Sequence, residues 1–173
     1  MSKPTLFLAG ALGALMFVQQ LPAGQELSSR ADRKITGQYF RPNTASTYQR
    51  GAISHAEALD YYGRRYSQIP AETAKEHAAE IRRNLNAAKK EYAKLGKEAK
   101  GNKHVEAHLK AIQEHQAKAE EMCETLEKGA TEGKTIASCC QDIVKELKAA
   151  EAENVKLKKT LGVEEAGEHH DHK

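Results

Sequence analysis

Three stretches of the chain repeat apolar residues at alternating steps of three and four. The first runs Ala74, Ala78, Ile81, Leu85, Ala88, Tyr92 and Leu95, and the second Val105, Leu109, Ile112, Gln116, Ala119, Cys123 and Leu126. The third runs Ile136, Cys140, Ile143, Leu147, Ala150, Asn154, Leu157 and Leu161. Such steps return a residue to the same side of a helix at every turn, so each stretch predicts a long helix that buries one narrow seam.

The punctuation between the stretches sets their ends. Pro70 suits the first position of a helix, and Gly101 stops one, which predicts a helix over 70–100. Asn102 caps a second over 102–128, stopped by Gly129, and a third over 134–161 is stopped by Gly162. Ahead of them Ser54 with Glu57 has the form of a capping box and predicts a shorter helix over 54–68. Connections of a few residues force consecutive helices antiparallel. The expected fold is all-α: an antiparallel bundle of three long helices plus one shorter helix, like a four-helix bundle, within residues 53–162.

Antiparallel folding about the glycines fixes which seam residues meet. Leu126 falls level with Ile136, Cys123 with Cys140, Ala119 with Ile143 and Ile112 with Ala150. Continuing across the bundle adds Ala78 and Gly63 to the Cys123 and Cys140 layer, with His77, Met122 and Cys139 at its edge and Tyr62 beside them. Another layer holds Tyr92, Leu109 and Asn154, where phenol and amide are expected to satisfy each other and fix register.

Composition narrows the picture. With 173 residues, 39% hydrophobic and 29% charged, the chain has room for one compact domain. The formal charge of +3 arises from 27 basic and 24 acidic residues that alternate along the helices, which describes a solvated face and argues against a nucleic-acid partner. Outside the bundle, residues 1–24 pair a Lys near the start with an apolar run from Leu6 to Val18 and small residues at Ala23 and Gly24, the form of a secretory signal peptide. The run is shorter than the roughly 20 residues of a membrane span, so export without stable membrane insertion is expected, to the periplasm or the outside. Residues 25–52 show no apolar period and carry Arg30, Arg33, Lys34, Arg41 and Arg50 with Gly and Pro breaks, and are expected to form a flexible basic arm. Residues 163–173 read as a His-rich tail.

The chemistry on offer rests on three cysteines. In an oxidising compartment a disulfide between Cys123 and Cys140 can clamp two helices. Cys139 is then left over, and an odd thiol in an exported chain counts against a purely structural inventory. Thiolates of Cys123, Cys139 and Cys140 with the His77 imidazole and the Met122 thioether make a ligand set for a soft or borderline ion, copper before zinc. The thiols can also be plain small buried hydrophobes. His104, His108 and His115 share a stripe that flanks the second seam, and His169, His170 and His172 crowd the tail; both are secondary metal candidates. There is no glycine-rich phosphate loop, no nucleophile elbow and no repeated Glu-x-x-His pair, so no catalytic residues are expected. The expected function is a small exported bundle that binds a copper or zinc ion through a Cys/His cluster. The competing expectation is a non-catalytic, disulfide-clamped protein that engages an envelope protein partner.

Overall fold

The computed structural model describes residues 24–163, with side chains from residue 37 onward except residue 39. The expected signal peptide, up to residue 23, and the tail from residue 164 lie outside the described residues. The described residues form four helices: α1 (Gly24–Arg65), α2 (Ala71–Glu98), α3 (Lys103–Glu127) and α4 (Gly133–Thr160). They pack as an all-α antiparallel bundle in which α1 touches α2, α2 touches α3, α3 touches α4 and α4 returns to α1.

The helix ends follow local rules. The Asn102 side chain accepts from the backbone N–H groups of His104 (3.2 Å) and Val105 (3.3 Å), capping α3. Gly101, Gly129 and Gly162 all take positive φ (90°, 86° and 69°), the left-handed turn that glycine adopts without a Cβ penalty. At the end of α4 the N–H of Val163 donates to the Lys158 carbonyl (2.9 Å) and that of Gly162 to Lys159 (3.0 Å), a Schellman closure that tucks Val163 under the bundle. Val163 therefore belongs to the core and not to the tail.

The first helix departs from expectation. α1 spans 42 residues and is the longest of the four, where a flexible arm over 25–52 and a short helix over 54–68 were expected. Ser54 sits exposed in mid-helix and caps nothing. The reason lies in a seam with a single large apolar residue, Leu59: Pro42, Ala45, Gln49, Ala52, Ala56, Leu59 and Gly63 are all buried and step by three and four. Small and polar side chains occupy most of the positions that Leu and Ile fill elsewhere, so the period is present while its hydrophobic signal is weak.

Small residues let the helices approach closely at one end. A Cβ placed on Gly63 would lie 2.6 Å from the Gly133 carbonyl oxygen, and one on Gly133 would lie 1.9 Å from that of Tyr66. The two connections at this end are tied together, since the Ile69 N–H donates to Thr131 O (2.8 Å) and the Gly133 N–H to Ser67 O (3.0 Å). Gly63 thus packs on Gly133 and Ala137, about one turn from the cysteine layer it was expected to join.

The core falls into two apolar halves. One gathers Ala52, Ala56, Leu59, Ile81, Leu85, Leu126, Ile136, Ile143 and Leu147 around the cysteines; the other gathers Ala45, Ala88, Tyr92, Leu95, Ile112, Ala150 and Leu157. Buried Gln49 and Gln116 lie along their seams between the two halves. The expected pairing of Tyr92 with Asn154 is replaced by bonds to α1: the Tyr92 phenol donates to Gln49 Oε1, and Asn154 Nδ2 donates to the Pro42 carbonyl (3.1 Å). Both bonds depend on a stretch with no apolar period of its own, which is why the sequence pointed them at each other.

Candidate functional site

The α3 and α4 seams bring the thiols to one level, as their antiparallel register requires. Leu126, Ile136, Cys123, Cys140, Ala119 and Ile143 share one core with Ala78, while Ile112 and Ala150 share the other. Two polar pairs on the flank confirm the direction: His108 Nδ1 meets Glu153 Oε2 at 3.0 Å, and one heptad further along α3 His115 Nδ1 meets Glu146 Oε2 at 2.7 Å. As the α3 position rises, its α4 partner falls.

Cys123 and Cys140 are fully buried, and Cys139 is half-buried, packed with Met122 against the same core. Burial pushes the Cys123 and Cys140 thiols up to about 12, and Cys139 adds to both shifts by its charge. Cys123 also pushes Cys140 up, as does Asp60, while Arg82 pulls Cys123 down. Burial raises Cys139 as well, helped by Asp142 and opposed by a hydrogen bond with Thr125. The layer is therefore a set of neutral thiols near neutral pH, close enough to sense one another.

All three cysteines are free, so the expected Cys123–Cys140 disulfide is not formed. Among the described residues no group of three or more His, Cys, Asp or Glu side chains is placed to hold a metal ion. Nor is any helix among them long and apolar enough to cross a membrane.

His77 stands apart from the thiols. Its ring packs edge-on against His55 (centroids 5.7 Å apart) and Tyr62 (6.3 Å), on the side of α2 that faces α1. Cys123 lies on the other side of α2, near Arg82, whose guanidinium bonds Glu127 (2.6 and 2.9 Å) on α3. The seam places Ala78 between these two faces, and one residue back along a helix turns the side chain by about 100° toward α1. Tyr62 does stand beside His77, as the sequence register required.

The α3 histidines do not converge on one ion. His108 and His115 each engage a separate α4 carboxylate, and His104 is exposed at the helix start. Glu146 is held below its ordinary range first by the bond from His115, then by Lys118; Glu153 is held down first by Lys156, then by His108. His169, His170 and His172 lie outside the described residues.

The sequence reading missed His55 and Glu80. The His55 Nε2 and Glu80 Oε2 atoms are 4.0 Å apart, and a cavity of about 200 Å³ is lined by His55, Glu76, His77 and Glu80. The signal that would have found it was the continuation of the α1 seam back through Ala56 and Ala52, which sets His55 toward α2. No protein-family model matches the chain, and no curated protein or solved structure matches it either.

Proposed function

We propose that this chain is a small, exported, non-catalytic helical bundle that takes up a soft metal ion, copper before zinc, at the layer of Cys123, Cys139 and Cys140. The observation that supports the reading is that two facing helices carry all of the chain's cysteines to one level, unbonded, with the Met122 thioether packed on the same core. His77 drops out of the ligand set, because its ring is turned to α1.

Thiolate is the ligating form, so each cysteine that binds releases a proton. Neutral thiols let the core stay packed without the ion, since no isolated charge is buried. Copper(I) is satisfied by two or three sulfur donors, whereas a structural zinc site asks for four ligands. The preference for copper rests on that difference, given that no group of three or more His, Cys, Asp or Glu side chains is assembled among the described residues.

Anaerobic titration of the reduced full chain with copper(I), against a coloured chelator, tests the reading. One copper(I) per chain is expected, retained when His169, His170 and His172 are replaced by Ala and lost in Cys123→Ser. Uptake unchanged in Cys123→Ser removes the thiol site. The competing reading, a clamped scaffold for an envelope partner, would need Cys123 and Cys140, which share one core but are unbonded, to move together. Intact mass after alkylation separates the two: a chain lacking two hydrogens with one alkylatable cysteine favours the clamp.

A further inference from the structure

We propose that His55, His77 and Glu80 form a second, thiol-free site for a borderline divalent cation, zinc or copper(II), in the groove between α1 and α2. The site is independent of the thiol layer in residues, helices and ligand chemistry.

Its donors line one groove without yet forming a coordination shell. His77 and Glu80 are one turn apart on α2 and share a face, and His55 reaches across from α1. The four side chains lining the cavity are two imidazoles and two carboxylates. Donor atoms around a tetrahedral ion with bonds of about 2.0–2.1 Å stand roughly 3.3 Å apart. The His55 Nε2 to Glu80 Oε2 separation of 4.0 Å needs only a small side-chain rotation to match. Rotations of His77 and Glu76 toward the same point would turn four lining groups, unassembled as they stand, into a ligand set.

One further observation points to a ligand. His77 Nδ1 is buried with no hydrogen-bond partner, a condition that buried polar atoms rarely tolerate. Glu80 is ion-paired with Arg83, but that guanidinium is 74% exposed and can turn to water when a cation arrives. Glu76 at the cavity wall adds a further negative charge.

Other candidates are weaker. The larger groove of about 710 Å³ along α2 is lined by cations already paired, Arg82 with Glu127 and Lys94 with Glu91. The apolar hollow at Tyr62, Tyr66 and Ile69 shows nothing of what would cover it.

Cobalt(II) is the probe that separates this site from the thiols, because sulfur ligation adds an intense near-ultraviolet charge-transfer band and His/Glu ligation does not. With the reduced full chain carrying Ala at His169, His170 and His172, one cobalt(II) per chain is expected, with visible d–d bands and no sulfur band. His55→Ala and His77→Ala should each weaken binding by roughly 100-fold, while Cys123→Ser leaves it unchanged. Zinc should raise the melting temperature of the parent chain and not that of either His variant, and circular dichroism checks that both are folded. Binding that survives both His variants, or a sulfur band that disappears in Cys123→Ser, overturns the proposal. Failure of copper(I) uptake in the thiol experiment would leave this site standing.

Discussion

Tyr92 shows what one buried hydroxyl contributes to this bundle. Its phenol donates to Gln49 Oε1 across the α1–α2 interface, and burial pushes its pKa upward, so it remains protonated and able to donate. Tyr92→Phe keeps the ring but orphans the Gln49 carbonyl oxygen, which should cost about 1–2 kcal/mol in denaturant unfolding. A variant as stable as the parent would show that the bond is not formed. Much at this scale was legible: the seam positions of α2, α3 and α4, the Asn102 cap and the three positive-φ glycines all follow from residue type and step. The partners of Tyr92 and Asn154, and His55 beside His77, were not, because all three come from α1, whose seam is written mostly in Ala, Gln, Pro and Gly. Hydrophobic period finds a helix by its greasy stripe, and a stripe of small residues is invisible to it.

At the scale of elements, that small-residue seam has a structural purpose. The last turns of α1 cross the start of α4 at Gly63 and Gly133, and backbone meets backbone there. In most helices Gly→Ala is stabilising, since Ala loses less chain entropy. Here the opposite sign is expected. A Cβ at position 133 would stand 1.9 Å from the Tyr66 carbonyl oxygen, so Gly133→Ala must part the helices or break the bond from its N–H to Ser67. Thermal unfolding should show a loss of roughly 1–3 kcal/mol. A gain in stability would mean that this crossing is looser than described. The electrostatic stitching acts along the same interfaces: Arg41 donates to Glu98 from Nε (2.8 Å) and Nη2 (2.6 Å), and Lys148 reaches Glu57 at 3.1 Å.

Over the whole molecule, the carboxylates tie α1 to α2 and α3 to α4. Glu91 is held below its ordinary range first by Lys94 and then, against burial, by Arg41; Glu146 and Glu153 are held down by their His and Lys partners. A carboxylate with a depressed folded pKa adds stability that is complete above its unfolded value, near pH 4.3, and is lost as pH falls through the folded one. The melting temperature should therefore fall as pH drops below about 4.3, and less steeply in Glu146→Gln. Equal slopes would remove the His115–Glu146 pair from the account. The bundle also frames the central proposal, that thiols on α3 and α4 hold a soft ion in a layer walled by apolar side chains. X-ray absorption at the copper edge, on the full chain loaded with one copper(I), tests that claim most directly. A first shell of two or three sulfur atoms is expected, and it should disappear in Cys123→Ser. A nitrogen-only shell, or a sulfur shell unchanged by that substitution, would contradict it.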